Sequence, residues 1–145
     1  LELLSEFQVS IPELGIRKAR HIPFVVLTSN NYRDMSDALK RRCLHLYIDY
    51  PEPELEKRII RLKLPDIEQR LADELVNAVN RIRGLDLKKR PCISETIDWA
   101  QALSVLQIRE LSARALSDTL NVICKYRADA RRVRDSMDQI LTPRP

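Results

Sequence analysis

The stretch from Phe24 to Cys43 reads F-V-V-L-T-S-N-N-Y-R-D-M-S-D-A-L-K-R-R-C and carries the densest chemistry of the chain. Its opening, taken from Ile22 to Thr28 (I-P-F-V-V-L-T), is apolar nearly throughout and rich in β-branched and aromatic residues. A strand apolar on both faces belongs to the interior of an α/β sheet. Asn30 to Arg33 (N-N-Y-R) follows as polar loop, and Ser36 to Arg42 is expected to form a short helix with Ser36 near its cap. From Cys43 to Tyr50 the pattern alternates: Leu44, Leu46 and Ile48 share one face, His45, Tyr47 and Asp49 the other, until Pro51 and Pro53 stop the strand. Upstream, Phe7 to Ile11 is a further short alternating segment.

Beyond Pro53 the period becomes helical. Leu55, Ile59 and Leu62 fall at i, i+4 and i+7 before Pro65; Ile67, Leu71, Leu75, Val79 and Ile82 then line one face of a longer helix, with Gly84 where a C-cap glycine belongs. After Lys88, Lys89, Arg90 and the break at Pro91, Ser94 is expected to cap a third helix, with Glu95 and Asp98 in its first turn and Ile97, Ala100, Leu103 and Leu106 facing inward. From Ser112 to Leu141 the residues Leu116, Leu120, Ile123, Val133, Met137 and Ile140 predict one long or two consecutive helices, broken near Tyr126. The fold class is therefore mostly α: residues 1–50 with two or three strands of an α/β core, residues 51–145 all helical.

Composition excludes several functions. The chain has 145 residues, a net charge of +4 and only two glycines, Gly15 and Gly84, so neither a G-x-x-x-x-G-K-[ST] phosphate loop nor a three-glycine dinucleotide fingerprint fits within it. Two histidines, His21 and His45, make no H-E-x-x-H, and Cys43, Cys92 and Cys124 make no C-x-x-C pair, so no metal site is expected. An odd number of widely spaced cysteines fits reduced thiols and a cytoplasmic location. The longest uninterrupted apolar run, Phe24 to Leu27, is far below the ~18 residues of a membrane span, and no membrane partner is expected.

Ligands of open parallel sheets bind beyond the carboxyl ends of the strands, so T-S-N after a buried strand points into a crevice where Asn30 can hold a water or a phosphate oxygen. Arg41 and Arg42 end a short helix, where the dipole favours cations and where they can reach a phosphate. Taken singly, an asparagine after a strand is turn chemistry and paired arginines are a solvated face. His21, His45 and Cys43 lack a neighbouring partner for catalysis, and Trp99 beside Ala100 and Ala102 reads as core.

Taken together, P-F-V-V-L-T-S-N, R-D-M-S-D-A-L-K-R-R-C and Y-I-D-Y-P resemble the sensor-1 strand, arginine-finger helix and following strand of an AAA+ ATPase, most closely the MoxR-type proteins of the carbon-monoxide-dehydrogenase maturation branch. I-P-E-L-G, S-E-T-I-D-W-A at Ser94 to Ala100 and D-T-L-N-V-I-C-K-Y at Asp118 to Tyr126 are similar to that branch as well. The resemblance implies that Asn30 is the sensor-1 asparagine orienting the attacking water. It implies that Arg42, with Arg41 as fallback, is the arginine finger acting in the neighbouring subunit's site. Residues after Pro51 would be the helical lid.

The sequence departs from the family at Ser94, Glu95 and Thr96, where many members carry a sensor-2 arginine; Lys89 or Arg90 from the preceding loop is the expected substitute. The segment Leu14, Gly15, Ile16 is also one residue shorter than usual in the branch. The Walker A and B elements, which hold ATP and Mg2+ in the intact parent, are expected upstream of Leu1, so this chain alone should not hydrolyse ATP or bind a cofactor tightly. Implied partners are neighbouring AAA+ subunits in a ring and a protein client, reached through a partner with a von Willebrand A domain. The alternative is a nucleic-acid-binding basic helical module, suggested by a pI near 9.1 and clusters at Lys40 to Arg42, Lys88 to Arg90 and Arg131, Arg132, Arg134. Interspersed acids and only 5% aromatic residues weigh against it.

Overall fold

The computed structural model describes residues 2–29 and 35–142. Its chain divides between Ile48 and Asp49 into two compact units. The first holds a single turn of helix, α1 (Glu2–Ser5), the strands β1 (Gln8–Ile11) and β2 (Gly15–Lys18), and a second short helix, α2 (Asp37–Lys40). The strands pair antiparallel, Gln8 opposite Lys18 and Ile11 opposite Gly15, and Ala19 extends the ladder by donating to Phe7 O at 2.7 Å. The hairpin explains the loop glycine. Gly15 has φ +71°, a left-handed conformation that costs glycine nothing, and Glu13 beside it also turns positive, at φ +74°.

Two strand expectations do not hold. Residues 22–28 and 43–50 carry no strand, and their apolar side chains face solvent: Phe24 is 95% exposed and Leu46 82%. A strand apolar on both faces is stable only with a paired neighbour on each edge and a layer over each face. The first unit offers one four-residue hairpin among its described residues, and that cannot supply them. The helix expected over Ser36 to Arg42 shortens to α2, with Ser36 at its N-cap and Arg41 at its C-cap.

The second unit is all helical: α3 (Pro53–Lys63), α4 (Gln69–Arg83), α5 (Ile93–Val105), α6 (Ala113–Ile123), α7 (Arg127–Asp135) and α8 (Met137–Leu141). Pro53 opens α3 at a first-turn position whose N–H needs no partner. Helix α4 buries Leu71, Leu75, Val79 and Ile82, the stripe read from the sequence, and lies against α3, α5 and α8. The break expected near Tyr126 is there, since Tyr126 is the N-cap of α7, and a second break falls at Ser136. Trp99 is fully buried where α5 packs on α6; its Nε1 donates to Thr119 Oγ1 at 2.7 Å, and that hydroxyl donates to Ala115 O at 2.6 Å.

Three local expectations in this unit need correction. In α3 the buried positions are Glu56 and Ile60, with Leu64 packed after them, whereas Leu55 and Leu62 are exposed, Leu62 by 80%. Helix α5 begins two residues earlier than expected, with Cys92 rather than Ser94 as N-cap, and Leu106 is exposed. Gly84 stands at the C-cap of α4 but in the right-handed region, φ −73°, so its position does not require glycine's left-handed freedom.

Candidate functional site

The residues singled out from the sequence lie in both units. Asn30 falls outside the described residues. Arg41 and Arg42 are exposed at the end of α2, and Arg42 folds back so that Nη1 donates to Ala38 O at 2.8 Å. This bond satisfies one of the carbonyls that every helix end leaves without a partner. The side chain is exposed, so water competes for the guanidinium and it is readily redirected.

Lys89 and Arg90 belong to the second unit, in the loop that leads into α5. The loop is held from both sides. The Asp129 carboxylate, buried at the start of α7, accepts from Lys88 N at 2.9 Å and Lys89 N at 3.1 Å, and Arg83 Nε donates to Pro91 O at 2.8 Å. Lys89 Nζ then pairs with Glu95 Oε1 at 2.7 Å, while the other Glu95 oxygen accepts from Cys92 N at 3.0 Å and from the Cys92 thiol. Burial opposes a charge on Glu95, but the Cys92 thiol, the Lys89 ammonium and the Cys92 N–H together hold its carboxyl down at about 2. The same Glu95 contact raises the affinity of Lys89 for its proton. Arg90 is exposed and has no ion pair or hydrogen bond among the described residues. Of the two cations in this loop, Lys89 is committed to Glu95 and Arg90 is open.

Beneath the loop lies a buried network that the sequence reading missed. Arg83 forks onto Glu56, Nη1 to Oε2 at 2.7 Å and Nη2 to Oε1 at 2.8 Å. The Thr96 hydroxyl donates to Glu56 Oε1 at 2.9 Å and accepts from Arg83 Nη2 at 3.3 Å. The ring of Tyr50 covers the guanidinium, 4.6 Å from centroid to Cζ. A signal was present: Glu56 precedes the buried Ile60 by four residues and Arg83 follows Val79 by four, which puts both charges on apolar faces.

No family model, no curated protein and no solved structure matches this chain. No described helix is long and apolar enough to cross a membrane. Part of the basic clusters is engaged within the fold: Lys88 sits over the Tyr126 ring at 4.2 Å, Lys89 on Glu95, and Arg132 on Asp86 at 2.7 Å.

Proposed function

We propose that this chain is the C-terminal part of a MoxR-type AAA+ ATPase, with sensor 1, the arginine finger and the helical lid. The observation that carries the reading is the exposed Arg41–Arg42 pair at the end of α2, set between two apolar segments that face solvent, 22–28 and 43–48. Those segments have the composition of core strands, and their exposure fits partners supplied by the rest of an ATPase core. In this reading Asn30 orients the attacking water. Arg42, with Arg41 as fallback, reaches the γ-phosphate bound by the neighbouring subunit, where an always-protonated fork meets the charge of the transferring phosphoryl group.

The helical unit then acts as lid over ATP and Mg2+, with Arg90 freer than Lys89 to stand in for the missing sensor-2 arginine. Hydrolysis is coupled to remodelling of a protein client in the cytoplasm, through a ring of subunits and a partner bearing a von Willebrand A domain. The deciding experiment reads the coding sequence upstream of Leu1 and assays turnover. A G-x-x-x-x-G-K-[ST] in frame, with no magnesium-dependent ATP hydrolysis by residues 1–145 alone, is the expected result. Robust turnover by those residues, with contaminants excluded, overturns the proposal.

A further inference from the structure

Many cations of the helical unit face a carboxylate. Lys57 and Arg61 meet Asp73, Arg70 meets Glu74, Arg83 meets Glu56, Lys89 meets Glu95 and Arg132 meets Asp86. The corner between α6 and α7 is built differently. A cavity of about 330 Å³ opens there with Lys125, Arg127, Arg134, Asn121, Cys124 and Tyr126 in its wall, and no carboxylate lines it. Arg127 and Arg134 stand seven residues apart on α7 with the buried Ala130 between them, so both guanidinium groups share one face over a small side chain.

Neither arginine has an ion pair or hydrogen bond among the described residues. The Asp129 carboxylate, close enough to act on the Cys124 thiol, is occupied with the backbone of Lys88 and Lys89. Lys125 Nζ rests on Val122 O at 2.7 Å, and Lys88 adds a further cation over the Tyr126 ring. Burial pushes the Cys124 thiol up to about 11, so the sulfur in the wall is a neutral thiol near pH 7. Like charges held on one helix face repel one another, and an anion between them removes that cost.

We propose that this corner binds a small soluble phosphoryl anion of the pyrophosphate type, with Arg127 and Arg134 as forked donors, Lys125 as a point charge and the Asn121 amide as an additional polar contact. Guanidinium forks match the oxygens of phosphoryl groups two at a time. The cavity amounts to roughly ten waters' share of liquid volume, room for more than one tetrahedral group. The site lies entirely within α6, α7 and their connection, and does not depend on the ATPase reading.

The full chain is titrated with sodium pyrophosphate by calorimetry at constant ionic strength, with ¹⁵N shifts recorded over residues 121–134. Sodium sulfate and a phosphoserine peptide serve as comparisons. Expected is saturable pyrophosphate binding with shifts confined to those residues, weakened about tenfold or more in Arg127→Gln/Arg134→Gln, as the loss of two forked contacts implies. A control that removes the same charge elsewhere, Arg58→Gln/Lys63→Gln, should bind as the unaltered chain does. Because all four of these side chains are exposed, the variants should keep the parent's thermal midpoint. Absence of saturable binding, equal loss in the control, sulfate binding as tight as pyrophosphate, or a site filled only by the phosphoserine peptide each overturns the proposal.

Discussion

Arg83 and Glu56 meet as a two-pronged ion pair inside the helical unit, 2.7 and 2.8 Å across its two bonds, joining the end of α4 to the first turn of α3. Arg83 also donates to Pro91 O and touches Thr96, so one side chain ties together α3, α4 and the entry to α5. Desolvation makes such a pair poor net stabilisation, but removing one partner strands a charge. Glu56→Gln should therefore cost about 3–5 kcal/mol in urea unfolding. The double variant Glu56→Leu/Arg83→Met should recover most of that loss; a double variant as unstable as the sum of the singles would refute the coupling.

The indole of Trp99 depends on one acceptor, Thr119 Oγ1. Thr119→Val keeps the volume and leaves the buried N–H unpaired, which should lower stability by about 1–3 kcal/mol. Trp99→Phe removes the donor together with ring volume, so its cost reports packing loss instead. Thermal midpoints of the two variants, compared with Trp99→Phe/Thr119→Val, measure the bond directly.

Glu95 makes the helical unit sensitive to acid. Its folded carboxyl is held at about 2 against an ordinary value of 4.5, so the associated stability is fully present above about pH 4.5 and is lost as pH falls toward 2. Glu95→Gln should unfold more easily at pH 7 and show a flatter decline of stability between pH 4.5 and 2 than the parent. A parallel decline in both proteins would remove Glu95 from the acid response.

Arg42 is exposed just past the end of α2, and among the described residues its guanidinium donates to the carbonyl of Ala38. On the proposed ATPase reading, Arg42→Ala in the longer parent protein should leave ATP binding unchanged and reduce turnover by roughly 10³-fold or more. Mixing it with a Walker-defective subunit that keeps Arg42 should restore activity, because the proposed finger would act in trans. Full turnover by the Arg42→Ala protein alone would shift the role to Arg41.

Amide exchange should separate the two units. Helices α4, α5 and α6 hold the core and should be the most protected, while residues 22–28 and 43–48, which carry no strand, should exchange fast. Greater protection of residues 2–48 than of 66–106 would contradict this.

Local patterns carried much of the fold. The stripe of α4, the break at Tyr126, the hairpin's first strand and the core role of Trp99 were all legible, because each rests on spacing within a few residues or on a large apolar side chain. The start of α5 was also within reach: Glu95 lies three residues after Cys92, the spacing by which an N3 carboxylate reaches back to an N-cap N–H. Ser94 misled because serine is the stronger cap by preference.

The sequence by itself determined the approximate course of the helices beyond Pro53 and which faces of α4 and α6 turn inward, since a helix satisfies its backbone locally and declares its buried face by period. Only the tertiary structure decided the rest. The inward face of α3 is set by Glu56, whose partner Arg83 lies 27 residues further along the chain, and no local rule selects a buried acid. The apolar runs at 22–28 and 43–50 carry strand composition without strand structure, because a strand's hydrogen bonds are made with another segment, and the pairing rather than the run creates it. The cationic corner at Arg127 and Arg134 likewise became a site only once α6 and α7 had folded around one cavity.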